Sequence, residues 1–125
     1  MRPLIIGCGN PDRGDDAAGV LAARRLREFG QDAIEHTGDG LALISLWQGR
    51  EDVVIIDAAA ETGEPVHRTT HTFGVADGIE LARALGLLPA RLRVIPILGR
   101  RFDMGTPVSK EVAAAIDAVV ADLRE

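Results

Sequence analysis

Apolar residues along this chain alternate between short continuous runs and stretches in which they recur at three- and four-residue steps. The short runs are typical of buried strands, and they predict strands at residues 4–6, 32–36, 53–56 and 92–98. A further short edge strand is predicted at 66–69, close to Gly63 and Pro65. The periodic stretches predict helices over residues 18–29, 41–47 and 73–85, with a last helix that begins after Ser109 as its N-cap.

This alternation predicts an α/β fold, with an open and mainly parallel sheet of about five strands covered by helices on both faces. The chain has 125 residues, of which 46% are hydrophobic. That length supports one hydrophobic core and is too short for two domains of ordinary size, so residues 1–125 are expected to form a single domain.

Composition narrows the function classes. No stretch approaches the roughly 20 apolar residues that cross a bilayer, and the first apolar run is too short for a signal peptide, which predicts a cytoplasmic protein without membrane insertion. A net charge of -5 and 3% aromatic residues argue against nucleic-acid binding. Four arginines lie close together in sequence, and solvated charges at strand ends explain them as well as contact with a partner does: Arg91, Arg93, Arg100 and Arg101.

The loop after the first strand contains Gly7 and Gly9, a spacing that is also found in dinucleotide-binding folds. Asp12 stands where the third glycine of that fingerprint belongs, and Asp15 and Asp16 would repel a phosphate at the start of the helix. Acidic residues at this position stabilise a helix N-terminus, which is a sufficient explanation for Asp15. Two adjacent carboxylates favour a cation as the guest of this loop.

Two carboxylates and an imidazole form the candidate site. Asp16 follows the first strand and Asp57 ends the third, so both belong at the carboxyl edge of the sheet, where open α/β folds bind their ligands. His71 precedes a helix; a lone histidine, like His36 or His67, is more often an ordinary polar residue than a ligand. Together these three side chains would suit nickel, zinc, iron or manganese.

Several motifs in this chain resemble those of the hydrogenase maturation endopeptidases. These motifs are IGCGN at 6–10, GDDAAGV at 14–20, GDG at 38–40, IDA at 56–58 and HTFG at 71–74. The resemblance covers nearly the whole chain and implies a three-layer α/β/α sandwich with a mixed sheet.

The resemblance also implies an activity. Members of the family remove a C-terminal extension from the large-subunit precursor of a nickel-iron hydrogenase after nickel insertion. By that resemblance Asp16, Asp57 and His71 are the catalytic and metal-binding residues, and the loop Gly38, Asp39 and Gly40 contacts the substrate. We expect nickel to arrive with the precursor, although other divalent metals can occupy such a site, and we expect a monomer.

Two alternatives remain open at this point. Cys8, the single cysteine, could act as a nucleophile with His71 as base and Asp57 as the orienting group, although a small buried residue is the more ordinary explanation. The other alternative is a chaperone that binds nickel or the hydrogenase subunit without cutting it. One cysteine excludes an internal disulfide and a zinc site built from several thiolates.

Overall fold

A computed structural model describes residues 2–61 and 73–124 of the chain. All the helices and strands predicted within those ranges are confirmed, with ends that shift by a few residues. The predicted strand at 66–69 and His71 lie outside the described residues. The elements are β1 (Leu4–Cys8), a 3-10 turn (Gly14–Ala17), α1 (Ala18–Glu28), β2 (Ala33–His36), α2 (Gly40–Trp47), β3 (Asp52–Ala60), α3 (Val75–Leu85), β4 (Arg91–Gly99) and α4 (Lys110–Leu123).

Within the described ranges the sheet has four strands in the order β2-β1-β3-β4, and each neighbouring pair is parallel. The prediction of a mainly parallel sheet is confirmed, with one strand fewer than expected in this part of the chain. Because the chain leaves β1 toward β2 on one side and returns to β3 on the other, the strand order reverses between β1 and β3. Such a reversal opens a crevice at the carboxyl ends of these two strands.

Helices cover both faces of the sheet, which confirms the three-layer arrangement. Strand residues alternate between the two faces, and each fully buried aliphatic side chain contributes roughly 1.5 to 3 kcal/mol. The first core lies under α1 and α4 and includes Ile5, Val54, Ile56, Leu26, Val112 and Ile116. The second lies under α2 and α3 and includes Ile6, Cys8, Val53, Ile55, Leu43 and Trp47.

The helices in the described ranges are too short or too polar to cross a membrane.

The start of α1 lies unusually close to the sheet. A Cβ atom on Gly7 would stand 2.0 Å from the carbonyl oxygen of Gly19, and a Cβ on Gly19 would stand 2.2 Å from the carbonyl oxygen of Ile56 and 2.6 Å from that of Cys8. Backbone therefore packs directly on backbone at the carboxyl ends of β1 and β3. Neither glycine can carry a side chain unless the helix moves away from the sheet.

Replacing Gly19 by Ala should destabilise the protein by about 2 to 4 kcal/mol, because the new methyl group meets strand backbone that cannot rotate away. Helix propensity alone predicts the opposite sign, since Ala is favoured over Gly inside a helix by about 1 kcal/mol. Urea unfolding measures the difference. The matched control is Gly74→Ala, where the nearest atom is 3.9 Å from the new Cβ. Equal stability of the two variants would contradict the close packing.

Candidate active site

Asp57 lies at the crevice between β1 and β3. The prediction that β3 ends at this residue is wrong, because the strand continues to Ala60 alongside β4, where Asp57 pairs with Pro96. β1 ends one residue beyond the pair formed by Gly7 and Ile56, at the level of Asp57. Asp57 is half-buried. By strand alternation its side chain is on the face covered by α2 and α3.

Asp16 reaches the same edge of the sheet from the other strand. It lies in the 3-10 turn that leads into α1 and is completely buried. Its Oδ2 accepts a hydrogen bond of 3.1 Å from the Asn10 amide, and its own amide donates to the Arg13 carbonyl oxygen over 3.0 Å. Gly19, one helical turn later, sits against the carbonyl oxygen of Ile56. The turn that carries Asp16 contacts β3, the strand that contains Asp57.

Gly9 makes room for the Asp16 turn. It has a φ of 142°, a conformation that strongly favours glycine, and a Cβ there would stand 2.0 Å from the carbonyl oxygen of Asp16. Its amide donates to the carbonyl oxygen of His36 over 3.0 Å, which joins the loop to the end of β2. The glycine noticed in the sequence thus serves close backbone packing beside a carboxylate.

Asp15 has a role that the sequence did not reveal. Its buried carboxylate accepts hydrogen bonds from the loop before α4: from the Arg100 amide at 2.8 Å, the Arg101 amide at 3.1 Å, the Ser109 amide at 2.7 Å and the Ser109 hydroxyl at 3.1 Å. Burial by itself raises the pKa of Asp15, but these donors outweigh it and hold the pKa below its ordinary value. Helix-dipole stabilisation, the explanation expected from sequence, is therefore at most a secondary role.

The turn that carries Asp16 contacts β3, in which Asp57 lies, whereas the third predicted residue, His71, falls outside the described part of the chain. Within 2–61 and 73–124, no three histidine, cysteine or acidic side chains are grouped closely enough to hold a metal ion. A complete ligand set at this crevice therefore needs a donor from outside the described residues or from a partner.

Solved structures of similar shape identify the family. A structure of the [NiFe] hydrogenase maturation protease HybD from Thermococcus kodakarensis is 31% identical, with 100% of both chains covered and a TM-score of 0.77. The chain belongs to the hydrogenase maturation endopeptidase family. A scan against protein-family models and a search of curated proteins gave no match.

More distant members of this family share the fold. The hydrogenase maturating endopeptidase HybD from E. coli is 20% identical over 98% of this chain and 90% of its own, with a TM-score of 0.76. A [NiFe] hydrogenase maturation protease HycI from Thermococcus kodakarensis KOD1 is 20% identical over 99% and 93%, with a TM-score of 0.65. The resemblance seen in the motifs is thus confirmed, and the chain is a peptidase of this fold.

The loop expected to contact substrate also holds α2 and α3 together. Asp39 caps α2 by accepting a hydrogen bond from the Leu41 amide at 3.2 Å, and the Gly40 amide donates to the Phe73 carbonyl oxygen over 2.8 Å. Gly38 donates to His36 Nδ1 over 2.9 Å. Burial lowers the pKa of His36, against an opposing effect of the Asp39 carboxylate.

Cys8 lies inside the second core, where its thiol is completely buried and forms no disulfide. Burial among apolar residues raises the cost of forming a thiolate, which is the form that a cysteine nucleophile needs. This environment is typical of a structural cysteine in a peptidase whose chemistry lies elsewhere.

The arginine cluster divides along β4. Arg91 and Arg93 lie at the amino end of the strand, away from the crevice, and Arg93 pairs with Asp52 at 3.5 Å. Arg100 and Arg101 follow the carboxyl end. Arg100 pairs with Glu61 and lines a groove with Ala60, Glu61, Gly99 and Phe102.

Replacing Asp15 by Asn should lower the free energy of unfolding by about 2 to 3 kcal/mol at pH 7, because buried amides lose a charged acceptor. The folded-state pKa is depressed, so this contribution is present above the ordinary value of 3.8 and is lost as pH falls through the folded pKa. Urea unfolding should therefore give a smaller difference from wild type at pH 3 than at pH 7. The exposed Asp122→Asn is the control, expected within about 0.5 kcal/mol at both pH values.

Proposed function

We propose that this protein removes the C-terminal extension of a nickel-iron hydrogenase large-subunit precursor, and that it recognises nickel already bound to that precursor. The observation that carries the proposal is the packing of the Asp16 turn and the start of α1 on β3, against the Ile56 backbone one residue before Asp57, at the point where strand order reverses. Membership of the maturation endopeptidase family supplies the reaction class. The proposal includes the predictions from sequence that the protein works in the cytoplasm and as a monomer.

We assign His71 as the third nickel ligand. It precedes Phe73 by two residues, and Phe73 leads directly into α3, on the face of the sheet that carries Asp57. Two residues of chain span at most about 7 Å, which limits how far His71 can be from that backbone. The imidazole would complete a set with two carboxylates that suits nickel, and the precursor's own donors would complete the coordination.

In this proposal the protein's ligands orient the nickel and the precursor, and bound nickel would polarise the scissile carbonyl. Asp16 or Asp57 would take the proton of the attacking water. Asp15 is not a candidate for that role because four donors already occupy its carboxylate.

Nickel recognition would also provide specificity. A precursor without nickel lacks its strongest contact with Asp16, Asp57 and His71, so it would bind weakly and escape premature cleavage. Asp16 is buried in the free protein, and nickel binding therefore requires a local movement of the atoms around its carboxylate. We place the precursor's extension along the groove lined by Glu61, Arg100 and Phe102, which adjoins the carboxyl ends of β3 and β4.

His71→Ala, Asp16→Asn and Asp57→Asn should each lower the rate of cleavage of nickel-loaded precursor by at least about a hundredfold, because each removes a group that holds the nickel. Mass spectrometry of the large subunit measures the loss of the extension. His67→Ala is the matched control for the histidine and should cleave at the wild-type rate.

Two outcomes would contradict this assignment. Cleavage by His71→Ala at the wild-type rate would show that this histidine is not part of the site. Equal cleavage of nickel-free and nickel-loaded precursor by the wild type would show that the protein does not recognise nickel.

Cys8→Ser should retain wild-type cleavage of the precursor, because the buried thiol is assigned a packing role and serine is of similar size. The same cleavage assay tests this, with the folded fraction measured by circular dichroism. A folded but inactive Cys8→Ser protein would instead support the cysteine nucleophile.

An intact complex with uncut precursor in the wild-type reaction would support the chaperone alternative.

A further inference from the structure

Two loops at the carboxyl edge of the sheet are joined along their length. The first, 9–17, carries Asp16, and the second, 100–109, connects β4 to α4. The Asp15 amide donates to the Arg101 carbonyl oxygen over 2.6 Å, and the Gly105 amide donates to the Asp12 carbonyl oxygen over 2.7 Å. Arg13 Nε donates to the Phe102 carbonyl oxygen over 2.8 Å. These contacts fix the Asp16 turn against a segment that is about 85 residues or more away in sequence.

Asp15 lies at the centre of the seam, which is the set of hydrogen bonds that joins residues 9–17 to residues 100–109. Its Oδ2 accepts from the Arg100 amide, the Arg101 amide and the Ser109 hydroxyl, while its Oδ1 accepts from the Ser109 amide. Gly99 lets the carboxylate approach, since a Cβ there would stand 2.7 Å from the Cβ of Asp15. Three of the four donors from this loop bond to Oδ2 and the fourth bonds to Oδ1, so both oxygens of the carboxylate are engaged.

The neighbouring carboxylates therefore have different environments. Asp15 points into the seam and is committed to the loop before α4, whereas Asp16 accepts from the Asn10 amide of its own loop. Both residues belong to one short 3-10 turn of four residues, so a shift of Asp15 is transmitted to Asp16 through a single peptide unit.

We propose that Asp15 is a positioning residue that holds the Asp16 carboxylate in register with Asp57 by tying its turn to residues 100–109. The expected effect of Asp15 on cleavage rests on the proposed function. Its expected effect on the geometry of the Asp16 turn does not depend on that function. Catalytic constellations lose about a hundredfold in rate when a group is displaced by roughly 1 Å, and the joined loops prevent such a displacement.

The first test measures the geometry. Hydrogen exchange of individual amides is compared by NMR in wild type, Asp15→Asn and the exposed control Asp122→Asn. The amides of Arg100, Arg101 and Ser109 should exchange faster in Asp15→Asn because they lose their acceptor. The decisive amide is Asn10, which bonds to Asp16 and not to Asp15. Faster exchange at Asn10 is expected, and unchanged exchange there would overturn the inference.

The second test measures cleavage of nickel-loaded large-subunit precursor, at a temperature where calorimetry shows each variant to be more than about 95% folded. Asp15→Asn should lower kcat by about ten- to a hundredfold while KM stays within about threefold, because the turn is displaced and the docking surface remains. A residue needed only for stability would leave kcat per folded molecule unchanged, and that result would overturn the inference.

Ser109→Ala provides the matched variant on the other side of the seam, since it removes the hydroxyl bond and keeps the backbone donor. It should lower kcat less than Asp15→Asn, and the double variant should lose no more than Asp15→Asn alone, because the hydroxyl acts through Asp15. Additive losses would count against the inference.

If Asp15→Asn does not fold, the same exchange and cleavage measurements on Ser109→Ala decide it. If the wild type does not cleave the precursor, the proposed function fails, and the Asn10 amide still decides the inference.

Discussion

Direct packing of the α1 backbone on β1 and β3, at Cys8 and Ile56, is the constraint on which the site depends. Gly7 and Gly19 allow carbonyl and strand atoms to approach within distances that any side chain would prevent. This contact sets the height of α1 above the sheet and therefore the place of the turn that precedes it. Asp16 lies in that turn, which contacts β3, the strand that contains Asp57.

Two adjacent acidic residues show how environment separates roles that sequence cannot distinguish. Asp15 is surrounded by backbone donors from the loop before α4, which keep it ionised and occupied. Asp16 accepts a hydrogen bond from the Asn10 amide at the start of its own loop. Both are buried, and burial of a charge is tolerated only where hydrogen bonds or a counter-charge compensate it. Of the two carboxylates, Asp15 is the one that joins its turn to the loop before α4.

Much of the fold could be predicted because the apolar pattern is strong. The runs at β1 and β3 are continuous because helices bury both faces of these strands, and Ser109 was correctly predicted as the cap of α4. The end of β3 was predicted wrongly. Asp57 interrupts the apolar run without ending the strand, because pairing with β4 continues to Ala60. The apolar pattern of β3 cannot predict where pairing with a neighbouring strand stops.

The sequence by itself determined the order of strands and helices along the chain and the family motifs, because these depend on local periodicity and on residues close together in the chain. Only the tertiary structure decided that Asp15 serves the loop of residues 100–109 and that Arg91 and Arg93 lie at the opposite end of β4 from Arg100 and Arg101. Both outcomes depend on contacts between segments far apart in sequence, and such contacts are set by how the layers pack.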